Sequence, residues 1–304
     1  MPSRTALLFI VPMVVGTAVQ AVAGNFPVSF FSFPLSGLFG ALWVAALVVL
    51  YRERRQSWLV GALLSGKATA WSLGLFVAGC LVIGLFPQLR PSEAAARGGV
   101  AGMLGCYNFM SSWPFVIMLV LLLSHLGLVT LRGFLSKRPH RWRFLLNHAG
   151  VWLALFAGFV GAADGQDTRL LVERDGWNRL SYDRDSRPVY QQESYRLVDF
   201  EKETYPDGTP MSYRARVLAA VPGADTVCMH LAVNEPYGIA FGRDVYLSGY
   251  DQQSAEPRYC ILQIVHQPAR WLMQAGIVMA FAGAALLLAG GPVRRSAAER
   301  RTAA

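Results

Sequence analysis

The stretch from Arg143 to Asp164 places the strongest constraint on how this chain can fold. It begins in a basic run, continues through mostly apolar residues and ends where the sequence turns polar. An α-helix of about 20 apolar residues is long enough to cross the hydrocarbon core of a bilayer. The stretch is therefore predicted to be a transmembrane helix. It carries polar side chains at Asn147 and His148, where a plain membrane anchor would be apolar.

Five other apolar runs of similar character predict a multi-span α-helical membrane protein. Of the 304 residues, 54% are hydrophobic and only 15% are charged, a balance that points away from a soluble globule. The first run also resembles a signal peptide, but a second run follows almost at once, so an uncleaved span is preferred. The predicted spans are 6–23, 37–51, 69–86, 113–131, 144–163 and 271–290.

Charge is divided unevenly along the chain. Residues 164–268 contain 11 of the 28 Lys and Arg residues and 16 of the 19 Asp and Glu residues, a net charge of −5, whereas the remainder carries +14. The basic excess lies in short tracts beside apolar runs, which is typical of membrane orientation and not of nucleic-acid binding. We predict a five-helix transmembrane region at 1–163, a β domain at 164–268, and a final helix with a basic tail at 269–304.

The basic tracts also predict the orientation of the chain. A cytoplasmic N-terminus satisfies the positive-inside rule at Arg4, 52–55, Lys67, 132–143 and the C-terminal tail. The short-segment exceptions are Arg90, Arg97 and the boundary residue Arg270. We therefore expect a multi-pass protein of the cytoplasmic (inner) membrane, embedded in the lipid bilayer, with both termini cytoplasmic and the β domain extracytoplasmic.

The polar region is predicted to be all-β. Its short runs are rich in β-branched and aromatic residues, several alternate polar with apolar, and no long helical period interrupts them. Tyr205–Pro210 has the residues of a tight turn, with Pro, Asp and Gly in succession. We expect an antiparallel sandwich or open barrel of about six to nine strands. The predicted strands are 168–173, 195–200, 213–218, 227–233, 245–247 and 259–265.

Two histidines within the predicted spans are candidate metal ligands. Counted from the predicted span ends, His125 and His148 lie at a similar depth, roughly 7–10 Å below the inner surface, on neighbouring antiparallel helices. Such a pair can ligate one haem iron from opposite faces. Trp152, one turn from His148, is a candidate porphyrin-stacking surface, although an interfacial aromatic belt is the simpler explanation for such tryptophans. The alternative is that both histidines and Asn147 hydrogen-bond neighbouring helices.

Other catalytic and metal-binding patterns are missing from the sequence. The four cysteines form no CxxC or CxxCH motif, which excludes the usual thioredoxin-like and c-type haem attachment signatures. Cys228 and Cys260 either form a disulfide in an exported domain or are small buried residues. GxSxG, HExxH and P-loop motifs are also missing, so a hydrolase is poorly supported.

Several motifs, in this order and spacing, resemble the ResB-like cytochrome c biogenesis proteins. The resemblance covers roughly residues 110–290 and includes the predicted fifth span, the β domain and the final span. Its residues are Ser112-Trp-Pro-Phe-Val, Leu126-Gly-Leu-Val-Thr-Leu-Arg132, Phe144-Leu-Leu-Asn-His-Ala-Gly-Val-Trp152, Gly158-Phe-Val-Gly-Ala-Ala-Asp164, Tyr205-Pro-Asp-Gly-Thr-Pro210, Val233-Asn-Glu-Pro236, Val245-Tyr-Leu-Ser-Gly-Tyr-Asp251 and Ile261-Leu-Gln-Ile-Val265.

The resemblance implies a role in System II cytochrome c maturation. Proteins of this family work with a ResC/CcsA-type membrane partner to move haem across the membrane and present it to apocytochrome c. The tryptophan-rich haem-handling motif belongs to that partner, so this chain alone is expected to be a non-catalytic subunit of the haem lyase, holding haem b transiently. His148 falls within the family motif. The family's Arg-Asp-Pro before the last span is replaced here by His266-Gln267-Pro268.

Two other functions remain open at this level. The chain can be a scaffold or assembly factor of the same complex without haem of its own. It can also be a membrane sensor whose outer β domain binds a ligand. Purified protein without haem favours the scaffold, and normal c-type cytochromes in a strain that lacks the chain favour the sensor.

Overall fold

The structure is a computed structural model that describes residues 3–136, 141–207, 209–221, 223, 225–254 and 256–289. The chain divides into two compact units. A helical unit contains residues up to 88, 99–160 and from 271 onward, and a second unit contains residues 89–98 and 161–270. The helices are α1 Arg4–Ala23, α2 Leu35–Glu53, α3 Trp58–Leu63, α4 Gly66–Leu85, α5 Pro91–Arg97, α6 Gly99–Met103, α7 Trp113–Leu135, α8 Arg141–Val160 and α9 Arg270–Ala289, with short 3-10 helices at Val28–Phe31, Cys106–Ser111 and Ala162–Asp164.

Six of these helices are long and apolar enough to cross a membrane, which confirms the prediction of a multi-span helical protein. Local sequence explains where they begin. Ser65 and Ser112 precede α4 and α7, and their hydroxyl groups accept hydrogen bonds from backbone amides of the first helical turn. Helices α3, α5 and α6 were not predicted because each is shorter than two turns.

Helix α7 lies at the centre of the helical unit. Half of its apolar stretch is buried, against 22% or less in each of the other five long helices. It packs against α1, α2, α4 and α8. A core cluster joins Phe9 of α1, Leu47 of α2, Val60 of α3 and Leu128 of α7. A helix at the buried centre of such a unit is expected to be apolar on all sides.

Helix α9 is held against α8 by small residues. A Cβ atom on Gly276 would lie 2.5 Å from the backbone nitrogen of Ala154 and 2.7 Å from the carbonyl oxygen of Gly150. Gly283 is equally close to the backbone of Asn147. Small residues let helix backbones approach closely in a membrane, where packing replaces the hydrophobic effect as the main attraction. The last span therefore depends on these glycines for its place in the unit.

We predict that Gly276→Leu separates α9 from α8. The new side chain meets backbone atoms, which cannot move aside as a flexible side chain does. A matched control is Gly74→Leu on α4, where a Cβ atom would have no neighbour within 4 Å. Cysteines placed on the facing surfaces of α8 and α9 should cross-link in the wild type and in Gly74→Leu, and fail to do so in Gly276→Leu. Unchanged cross-linking in Gly276→Leu would contradict the packing.

The second unit contains eight antiparallel strands, which confirms the predicted antiparallel β domain. The order across the sheet is β5-β4-β3-β2-β1-β8-β7-β6. All six predicted strands are present, and β2 and β6 are additional. The strands are β1 Gln166–Glu173, β2 Asn178–Tyr182, β3 Pro188–Thr204, β4 Pro210–Ala220, β5 Val227–Ala232, β6 Tyr237–Ala240, β7 Arg243–Tyr250 and β8 Tyr259–His266.

The described strands form a single sheet that curves around one core, closer to the predicted open barrel than to a two-sheet sandwich. The two ends of the sheet meet, because β5 contacts both β6 and β7. One apolar cluster collects the inward side chains of β1, β3, β4, β5, β7 and β8, including Leu170, Tyr195, Val217, Met229 and Leu262. The alternating burial along β1 and β8 follows from the two-residue period of a strand.

One end of this interior is polar. At the end where β1 begins and β8 finishes, Arg243 forms two hydrogen bonds with Glu193, at 2.8 and 2.7 Å, and a third with Gln191 at 3.2 Å. The Glu193 side chain is 5% exposed and that of Arg243 is 14% exposed. Burial, and then the positive charge of Arg243, lower the pKa of the neighbouring His266. The ion pair of Arg243 and Glu193 neutralises two charges, each of which would be costly to bury alone.

Replacing only Arg243 should destabilise the β unit strongly. Arg243→Met leaves the Glu193 carboxylate buried without its partner, which costs about 3–5 kcal/mol in comparable pairs. The double variant Arg243→Met/Glu193→Leu should recover most of this loss. Hydrogen exchange of the β3 and β7 amides in the full chain measures the effect, with Arg169→Met on an exposed position of β1 as the control. Equal protection in Arg243→Met and Arg169→Met would refute the expected cost.

Candidate functional site

Four rings with a spacing of four residues form a column along one face of α8. They are Phe144, His148, Trp152 and Phe156. The Phe144 and His148 rings stack with centroids 3.8 Å apart, and Trp152 and Phe156 stack at 4.5 Å. Residues four apart lie on the same face of a helix, so the column is a direct result of the sequence.

The column faces α7 and α2. The indole nitrogen of Trp152 donates a 2.9 Å hydrogen bond to the carbonyl oxygen of Leu123 on α7. A Cβ atom on Gly127 would lie 3.0 Å from the same nitrogen. Phe156 packs against Gly40 and Trp43 of α2. The indole of Trp152 is therefore held at its edge by α7 and at its face by the stacked ring of Phe156.

His148 presents one ring nitrogen in the state that binds a metal. Its Nδ1 lies 3.0 Å from the carbonyl oxygen of Phe144, one turn earlier in α8. A carbonyl oxygen only accepts, so Nδ1 carries the hydrogen and Nε2 retains its lone pair. Within the described chain, Nε2 forms no hydrogen bond. A histidine that ligates a metal through Nε2 commonly donates its Nδ1–H to a backbone carbonyl.

His125 differs because both of its nitrogens are engaged. Its Nδ1 lies 2.6 Å from the carbonyl oxygen of Leu63, where α3 ends. Its Nε2 lies 3.2 Å from the hydroxyl oxygen of Thr69 in the first turns of α4. With Nδ1 donating to the carbonyl, Nε2 accepts from the Thr69 hydroxyl. The imidazole thus joins α7 to the break between α3 and α4, as in the hydrogen-bonding alternative.

The contacts between α7 and α8 bear on the predicted matched depth of the two histidines. Gly133 lies beside Phe144 and Gly127 beside Trp152, so His148 is level with about residue 130 of the antiparallel α7. His125 is then displaced by roughly 7 Å along the helix. The depth was counted from predicted span ends at 131 and 144, whereas α7 continues to Leu135 and α8 begins at Arg141.

The two imidazoles also leave α7 and α8 in different directions. Leu123 and Gly127 mark the side of α7 that contacts Trp152. His125 is two residues from each, which is about 200° around the helix and hence on the opposite side. A single iron between His125 and His148 would require the hydrogen bonds of His125 to break. The geometry favours only His148 as a ligand.

Asn147 lies on a different face of α8. Its side-chain nitrogen donates a 3.1 Å hydrogen bond to the carbonyl oxygen of Ala280 on α9. The residue also packs against Gly283. The contacts of Asn147 among the described residues therefore hold α8 against α9.

Arg143 adds a polar group that the sequence analysis did not single out. It lies in the first turn of α8, and its Nε is buried without a hydrogen-bond partner among the described residues. Its guanidinium lies 5.8 Å from the ring centroid of Trp142. An unsatisfied buried donor is costly, so an anionic partner fits here. The open Nε2 of His148, the ring column and Arg143 together suit a flat, apolar metal complex that carries carboxylates.

The two cysteines of the β unit are unpaired in this structure. Cys260 is buried in the β8 core, and burial raises the pKa of its thiol to about 12. Cys228 is exposed on β5 at the edge of the sheet. Cys260 thus fits the alternative of a small buried residue.

A charge pair lies near the point where the sequence lacks the Arg-Asp-Pro motif. Arg270 at the start of α9 forms an ion pair with Asp244 of β7. The two side chains come from distant parts of the sequence, so no local pattern predicts the pair.

The ring column, in contrast, has a regular four-residue spacing that is visible in the sequence and could have predicted it.

Replacing His125 should reduce stability more than replacing His148. His125→Ala leaves the Leu63 carbonyl and the Thr69 hydroxyl without their buried partner, at a cost of about 1–3 kcal/mol. His148→Ala removes a bond only within its own helix. Thermal unfolding of both variants in the same detergent, without added ligand, tests this ranking. A larger loss in His148→Ala would show that His125 is not the structural link described.

Comparison with known proteins confirms the predicted resemblance over the middle of the chain. Residues 137–257 match the model of the ResB-like family. No curated protein matches. Among solved structures, a chain named "Cytochrome c Heme Lyase CcmF" matches with a TM-score of 0.35 and 15% identity, covering 83% of this chain and 45% of that one. The present chain thus spans less than half of that structure.

Proposed function

We propose, from the match of residues 137–257 to the ResB-like family, that this chain is a membrane subunit of a cytochrome c maturation complex. In this proposal it belongs to System II and works with a ResC/CcsA-type partner. The complex handles haem as its cargo and delivers it to apocytochrome c, and the chain itself supplies binding and positioning. The observation that carries the haem-binding part is the open Nε2 of His148.

His148 is the proposed axial ligand. Haem supplies an iron that accepts a nitrogen lone pair, and His148 offers one without first breaking a hydrogen bond. The Phe144 carbonyl fixes the tautomer, and the stacked Phe144 ring restricts rotation of the imidazole. A carrier must release its cargo, so the bond between His148 and the iron must be exchangeable in this proposal.

Arg143 and Trp152 are proposed to orient the cargo. The unsatisfied Nε of Arg143 can pair with a propionate, and a charge-assisted bond of this kind is stronger than a neutral one. Trp152 is the next ring of the column, one turn beyond His148, and provides an apolar edge. Asn147 and His125, engaged with α9 and with the α3–α4 break, are proposed to hold the helices in place and not to touch haem.

An outward orientation of the β unit is part of the proposal. Two of the arginines that oppose the positive-inside rule have acidic neighbours: Arg90 lies 4.0 Å from Glu93, and Arg270 pairs with Asp244. The positive-inside rule counts Lys and Arg whatever their acidic neighbours, so both remain exceptions, and the proposed orientation rests on the larger number of basic residues at 52–55, at 132–143 and in the C-terminal tail. This supports cytoplasmic termini and a β unit outside, where an apocytochrome would be met.

Absorption spectra of the purified full chain, oxidised and reduced, should show a b-type haem that depends on His148. His148→Gly should lose the signal, and added imidazole should restore it by occupying the vacated site. His125→Gln, if folded, and His230→Ala on the exposed face of β5 should keep the signal. Loss of haem only in His125→Gln would overturn the assignment of His148.

A strain that lacks this chain separates the proposal from the sensor alternative. Loss of covalently attached haem from c-type cytochromes is expected, with restoration by the wild-type chain. Normal c-type cytochromes, in the absence of a second copy, would refute a maturation role. A well-folded chain that is required for maturation but contains no haem, even when purified with its partner, would favour the scaffold.

A further inference from the structure

The turn between β6 and β7 is built onto the start of the last span. Phe241 and Gly242 form its tip. The amide of Gln267 donates a 2.7 Å hydrogen bond to the carbonyl oxygen of Gly242. Gly242 has φ 69°, and a Cβ atom there would lie 2.9 Å from the carbonyl oxygen of Gln267 and 3.1 Å from Cα of Pro268. A residue with a side chain would not fit, so the close approach is specific.

The same segment is fixed to β7 by an ion pair. Arg270 forms an ion pair with Asp244, whose side chain is 10% exposed. The backbone amide of Arg270 donates a 3.1 Å hydrogen bond to the carbonyl oxygen of Gln267. The tip of the turn and the first residue of α9 are thus linked through residues 267–270.

The height of this segment relative to a bilayer follows from α9. The helix begins at Arg270, Trp271 follows, and its 20 residues are apolar enough to span. A spanning helix of this length must start close to the interface, where tryptophan is enriched. Residues 267 and 268 are therefore expected at the level of the lipid headgroups, and the turn contacts both of them.

Phe241 is 72% exposed at this tip. An exposed phenylalanine is unfavourable in water and favourable in the interfacial region of a bilayer. The opposite end of the sheet provides a comparison: Tyr205, at the β3–β4 turn, is 50% exposed but lies at the far ends of its strands.

We propose that the Phe241–Gly242 turn is a membrane-interface anchor, with the Phe241 ring inserted among the lipid headgroups and upper acyl chains. Its occupant is the bilayer itself. The anchor limits tilting of the β unit about the strand that leads into α9. The proposal is independent of the cytochrome c role and requires only that α9 crosses the membrane.

Photo-cross-linking of the full chain in phosphatidylethanolamine–phosphatidylglycerol vesicles tests the anchor. Benzoylphenylalanine replaces Phe241, Tyr205 or Phe281 in separate preparations, and adducts are identified by mass spectrometry. Phe281 on α9 is also 72% exposed and serves as the lipid-facing control. We expect lipid adducts at positions 241 and 281 and a much lower yield at 205.

Two results would overturn the anchor. One is a lipid adduct at 281 with a yield at 241 no higher than at 205. The other is an adduct at 241 to this chain in place of lipid, which would show that the ring packs against protein. Because benzoylphenylalanine keeps an aromatic ring at each position, misfolding is not expected, and equal protease resistance of the three preparations verifies this.

Discussion

The interior of a bilayer contains no water to hydrogen-bond a polar group, and this constraint organises the helical unit. Several polar side chains described in the spans meet it by bonding another helix. His125 bridges α7 to the α3–α4 break, Asn147 reaches α9, Trp152 reaches α7, and Trp43 of α2 donates to Ser124 of α7 at 3.1 Å. These bonds, with the glycine contacts between α8 and α9, position helices that otherwise differ little from the surrounding lipid.

Against that background, polar atoms without partners are informative. The Nε2 of His148 and the Nε of Arg143 both belong to the first turns of α8. Ser72 Oγ on α4 is also buried and unsatisfied, but a hydroxyl can be satisfied by a single water and gives little indication of a ligand. An imidazole nitrogen without a hydrogen bond and an unsatisfied guanidinium Nε on the same helix are a more specific combination, because they match both the iron and the carboxylates of haem.

The sequence predicted the elements better than their contacts. Long apolar runs and alternating strands carry strong local signals, so six spans and six strands were found. Strand β6 has only four residues and includes Gly238, and β2 is similarly short, so neither shows a clear period. The proposed His125–His148 pair depends on a different kind of information. Hydropathy indicates where a helix crosses, but the direction of each side chain depends on packing, and here Gly127 and Gly133 set the register of α7 against α8.

The β unit also contains buried charged side chains, which lie at its polar end. Its interior carries a Glu193–Arg243 pair where the sheet joins the spans, and Asp244 on the next position of β7 pairs with Arg270. Adjacent residues of a strand point to opposite faces, so one strand secures the barrel interior through Arg243 and the start of α9 through Asp244. Loosening the interior pair should therefore also disturb the start of the span. This coupling follows from the pleat of β7 and gives a physical reason for two ion pairs on neighbouring residues.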